Sequence, residues 1–222
     1  MARPNDDLLE DVATAAVVGV AGAIGLKLLH AWLQPKPAPV PQPLAVDPVQ
    51  HRIFGALESV VGVLGCGPLN LTMTPFVENF AAGSGTVFFN RAWAASMLSR
   101  HCNTQSCELS VVLGIVGHEV GHLVFNHPPY DLANCPLNRN HELQSDALGG
   151  WVLAARGMPR DHLERVIAEL SLEGTCKHPR ASHRLSAIRH GYDSQLLGHG
   201  WKHFGRINFE AAFLAADAGR HP

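Results

Sequence analysis

Charged residues make up only 16% of this 222-residue chain, and nowhere do Lys or Arg gather into a run. With a formal net charge of -2, that removes the electrostatic footprint on which nucleic-acid binding depends. Cysteine is scarce as well: Cys66, Cys102, Cys107, Cys135 and Cys176 stand at irregular intervals with no Cys-x-x-Cys pair. That excludes a disulfide-framework miniprotein and disfavours a thiolate-rich structural zinc site. The odd count leaves at least one thiol free, and Cys102 and Cys107, which flank the polar loop HCNTQSC, are placed to bridge in an oxidising compartment. No internal repeat is visible, and the length suits one domain with a substantial core plus an appended segment.

What is present divides the chain into four parts. Residues 1–34 carry the apolar run ATAAVVGVAGAIGLKLLHAWL (13–33) behind an acidic lead-in, DDLLED, unlike the basic start of a cleaved signal peptide. The expectation is a helix that associates the protein with a membrane. Residues 35–48 have proline at every second position from Pro35 to Pro43, which favours an extended spacer. A compact domain is expected over 49–191, and a tail over 192–222 whose Trp201, Phe204, Phe209 and Phe213 should pack back on it. Within the domain, apolar spacing predicts helices over 108–126, 139–156, 160–172 and about 180–189, and SGTVFFN (84–90) predicts a short strand. The fold class expected is mainly α (α+β), a helical domain with a short β-edge.

The stretch GIVGHEVGHLVFNH (114–127) contains His-Glu-x-x-His. In so histidine-rich a chain, shuffling would produce that pattern roughly one time in twenty-five, so its context must carry the argument. On a helix, His118 and His122 share a face and can offer two imidazoles to one metal ion, with Glu119 about 100° round. A third protein ligand is required, and Glu142 in NHELQSDALGG is the candidate, with Asp146 one turn later placed to orient a ligand histidine. Two neutral imidazoles and one carboxylate would leave a single Zn²⁺ with net charge +1, enough to stay Lewis-acidic.

HEVGH followed 20 residues later by ELQSD resembles the gluzincin zinc metallopeptidases, with a spacing similar to the thermolysin group. HEVGHLVFNH, the segment HPRASHRLSAI (178–188) and NFAAGSGTVFFNRAWAASM (79–97) look more like the HtpX and CAAX-prenyl-protease type, metallopeptidase family forty-eight, although Ser145 stands where that family commonly has Ala. The resemblance covers roughly residues 49–190. It implies a zincin-like fold in which His118, His122 and Glu142 bind zinc, Asp146 lies behind a ligand, and Glu119 is the general base for a zinc-activated water. It also implies that His178 and Arg184 stabilise the oxyanion, and that an edge strand around Gly83, Gly85 and Val87 holds an extended or unfolded protein substrate.

The expected function is therefore metalloendopeptidase. Two alternatives stay open at this point: a regulatory peptidase dedicated to one partner, and a non-catalytic zinc-binding interaction module.

Overall fold

Asp47 opens the first helix of the computed structural model, which describes residues 47–170 and 173–219. Its carboxylate accepts from the Val49 and Gln50 amides, and Pro48 fills the first helical position, where no amide hydrogen is needed. Helix α1 (Pro48–Leu64) thus begins inside the stretch expected as spacer, and it ends at Gly65, whose φ of 60° closes the helix in the left-handed conformation. The apolar run 13–33 and the spacer up to residue 46 lie outside the described residues.

A three-stranded mixed sheet follows, built from β1 (Asn70–Met73), β2 (Phe80–Gly83) and β3 (Thr86–Phe89) in the order β1-β3-β2. Strand β3 pairs in parallel with β1 and antiparallel with β2. The β2–β3 hairpin turns on Ser84 and Gly85, both with positive φ, as a two-residue turn matched to strand twist requires. This corrects the expected edge strand. Val87 is on the central strand with its side chain fully buried, Gly85 is in the turn, and only Gly83 belongs to an outer strand.

The rest is helical: α2 (Arg91–His101), α3 (Gln105–Val124), α4 (Cys135–Ala155), α5 (Asp161–Leu170), α6 (Ala181–Leu196), a 3-10 turn (Trp201–Arg206) and α7 (Phe209–Ala218). Four of them start at side-chain caps, Asn90, Thr104, Asn134 and Asn208, each accepting from an amide in the first turn. Helix α3 is long and apolar enough to cross a membrane by composition, but 67% of that window is buried within the protein, which makes it a core helix. The main core joins α1, the sheet, α3 and α4, and a second cluster packs Phe204 and Phe209 of the C-terminal segment against Leu143, Ala147 and Ala187.

Helix α4 is held between α3 and α6 at backbone contact. A Cβ on Gly149 would stand 2.7 Å from the Gly114 carbonyl oxygen of α3, and one on Gly191 of α6 would stand 1.8 Å from the Ala147 carbonyl oxygen. Only glycine permits this, and the closeness is what brings side chains of three helices to one point. Gly191→Ala is expected to lower stability by about 3 kcal/mol, the upper range for overpacking a core. Gly62→Ala, in α1 with nothing within 4 Å of the added carbon, should raise it by up to about 1 kcal/mol through helix propensity. Thermal melts of the two variants check the opposite signs.

Two disulfides are present and Cys66 is free. Cys102–Cys107, the pairing the sequence left open, closes the short loop between α2 and α3. Cys135–Cys176, with a sequence separation of 41, ties the start of α4 to the loop carrying Lys177 and His178. By loop-closure entropy the longer link contributes about 4 kcal/mol and the shorter about 2.

Candidate metal centre

Helix α3 presents His118 and His122 one turn apart, and α4 crosses it with Glu142. The three offer ligand atoms that all lie within 4.8 Å of one another, a group able to hold one metal ion. Their separations are 3.2 Å between the two Nε2 atoms, 3.5 Å from His118 Nε2 to Glu142 Oε2, and 3.6 Å from His122 Nε2 to Glu142 Oε1. The glutamate is 7% exposed, so its charge has little water to share it.

Behind His118 lies Asp146. The His118 Nδ1–H donates to Asp146 Oδ1 at 2.8 Å, which turns Nε2 toward the other ligands. Asp146 is itself gripped by Arg184, whose Nε and Nη2 donate to its two oxygens at 2.8 Å each. Burial opposes the Asp146 charge, yet Arg184 and His118 hold its carboxyl below the usual range. Arg184 is thereby engaged as the partner of Asp146. It also lines the cavity that opens on the three candidate ligands.

His178 does reach the centre. Its Nδ1 lies 3.0 Å from Glu142 Oε2, and the loop that carries it turns on Thr175, whose hydroxyl accepts from the His178 amide. With His118 it keeps Glu142 well below the ordinary carboxylate range, against the opposing pull of burial.

A cavity of about 630 Å³ opens on these groups, lined by His118, Glu119, His122, Glu142 and His178 and by Asn79 to Ser84 along strand β2. Glu119 is 8% exposed and points no hydrogen bond at the three candidate ligands. Burial pushes its carboxyl up to about 7, with Glu142 adding to the rise while His118, Lys177 and Arg184 oppose it. In His118, burial pulls the imidazolium down, but Asp146 and Glu142 together carry it up to about 10. His122 is driven down to about 3 by burial and by its charged neighbour His118.

The wall also carries apolar side chains, Phe80, Trp93, Ile115, Leu163, Ile167 and Leu170, alongside polar ones such as Asn138, His141 and Lys177. None of the apolar ones was singled out from the sequence as a site residue. Gln144 was also missed, and His127 entered only as the last residue of HEVGHLVFNH. The structure places His127 Nδ1 3.1 Å from His122 Nδ1 and its Nε2 2.8 Å from Gln144 Oε1. Asn126 explains the His127 position. With φ at 55° it ends α3 in a Schellman turn, in which the His127 amide donates to the His122 carbonyl and the Asn126 amide to that of Leu123.

No protein-family model matches the chain, and neither a curated protein nor a solved structure matches it.

Proposed function

We propose that this chain is a zinc-dependent metalloendopeptidase. The observation that carries the reading is the convergence of His118, His122 and Glu142 on one point of a cavity that Glu119, itself no member of that group, also lines. Nitrogen and oxygen ligands about 2.0–2.1 Å from a tetrahedral ion stand roughly 3.3 Å apart. The observed 3.2, 3.5 and 3.6 Å suit that geometry, and the set has the composition of a catalytic rather than a structural zinc site. When bound, zinc supplies Lewis acidity toward water and carbonyl oxygen.

The protein's own groups supply the rest. Glu119 accepts a proton from the attacking water and returns it to the departing amine as the peptide C–N bond breaks, so that the carboxylate is regenerated at each turnover. A carboxyl raised by burial toward neutrality is fitted to both transfers, because neither proton state lies far from the other in energy. His178 lines the same cavity, and with its Nδ1 on Glu142 its Nε2 is the ring nitrogen we assign to the carbonyl oxygen as that atom gains charge.

Strand β2 supports a polypeptide substrate. Its inner edge is taken by β3 and its residues line the cavity, so an extended segment can add along the outer edge through backbone hydrogen bonds, largely irrespective of sequence. The apolar wall of Phe80, Trp93, Ile115 and Leu163 favours a bulky apolar side chain next to the cut. The test is cleavage of a reduced, unfolded protein by the wild-type chain with zinc, with Glu119→Gln as the comparison.

A further inference from the structure

The hydrogen bonds behind His122 form a single chain in which every donor and acceptor is determined. It begins at the Ile207 backbone carbonyl, in the segment joining the 3-10 turn to α7. A carbonyl only accepts, so the group 2.9 Å from it must be the Gln144 amide nitrogen, as assigned. Gln144 Oε1 then faces His127 Nε2 at 2.8 Å, and an amide oxygen also only accepts, so His127 carries its proton on Nε2. A neutral His127 is left with a lone pair on Nδ1. That atom faces His122 Nδ1 at 3.1 Å, so His122 must donate from Nδ1 and keep its lone pair on Nε2. Nε2 is the atom that faces His118 Nε2 and Glu142 Oε1.

We infer that His127 and Gln144 are positioning residues which, anchored on the Ile207 carbonyl of the C-terminal segment, set the His122 tautomer for metal binding. The inference rests on the proposed zinc site and adds to it a role for a part of the chain remote from the motif. Its logic mirrors the other ligand, where Asp146 takes the Nδ1 proton of His118, but here the acceptor is a neutral relay. Gln144 is 5% exposed, and His141 stacks on the His127 ring at a centroid distance of 4.2 Å, so the relay has little freedom to rearrange.

Two measurements on the full chain test it. Nitrogen-15 NMR of the zinc-free wild type should find His122 protonated on Nδ1 and His127 on Nε2. The opposite tautomer at either ring overturns the relay, whatever the variants do. Zinc affinity by chelator competition should then fall about 10–100-fold in His127→Leu and in Gln144→Leu. It should stay near wild type in His127→Asn, whose side-chain oxygen can accept from His122 in place of Nδ1. Wild-type affinity in both leucine variants would also overturn the relay. A wild type that binds no zinc would instead remove the proposed function, while the tautomers would still decide the relay.

Discussion

Glu119→Gln is expected to hold one zinc per chain and to cleave an unfolded protein about 10²–10⁴-fold more slowly than the wild type, the range a positioned general base contributes. The substitution keeps the side chain's length and shape, and Glu119 is not among the three candidate ligands, so metal content should not change. What it removes is the only atom set on the residue able to accept a proton, since the amide oxygen is far too weak a base to take one from water. Zinc analysis and a gel-based cleavage assay on the same preparations separate the two effects. Equal cleavage by variant and wild type would remove Glu119 from the mechanism. Loss of zinc would mean that the residue serves the metal and not the water.

The second large effect concerns the pair behind His118. Arg184→Met is expected to lower the stability of the zinc-free protein by about 3–5 kcal/mol, the cost of removing one member of a buried ion pair. Asp146 is 3% exposed, and in the variant its charge keeps the His118 donor but loses both guanidinium contacts. The sign of the pH dependence follows. In the wild type the folded-state pKa of Asp146 lies below its unfolded value, so the stability it contributes is present above the ordinary carboxylate range and is lost as pH falls through the folded value. In the variant burial is less opposed, the folded value rises, and acid relieves the burden by neutralising the carboxyl. The gap between wild type and variant should therefore be widest at neutral pH and should narrow toward about pH 4 and below. Urea denaturation across that range reads it directly. A gap that does not vary with pH would mean that the loss comes from packing of the arginine stem.

The parts of the fold legible in the sequence are those written in local periodicity. Helices α3 and α4 follow from apolar residues at helical spacing, although their starts, capped by Thr104 and Asn134, lie three and four residues before the expected 108 and 139. Helix α1 is not among the helices expected from the sequence, because the prolines before it mark the stretch as spacer, although Asp47 with Pro48 is a cap followed by a first-turn proline. The centrality of β3 could not be read at all. It depends on β1, whose four residues NLTM are mostly exposed and carry little pattern, pairing in parallel with a strand 16 residues on.

The site divides in the same way. His118, Glu119 and His122 were legible because a helix repeats every 3.6 residues, and Glu142 with Asp146 because they repeat that spacing on a second helix. The partners of those residues were not. Arg184 sits 38 residues from Asp146, and Gln144 is joined to Ile207 across 63, distances along the chain that only the crossing of α3, α4 and α6 and the return of the tail close up. The sequence contains the glycines that allow that crossing, Gly114, Gly149 and Gly191, but not which backbone each one meets.

The most direct test of the account is a zinc titration of the purified chain by competition with a chromogenic chelator, run beside His118→Ala, His122→Ala and Glu142→Ala. One tight site is expected in the wild type and its loss or severe weakening in each variant, with all four proteins giving the same helical circular dichroism. A wild type without stoichiometric zinc, or a site that survives undiminished in all three variants, would contradict it.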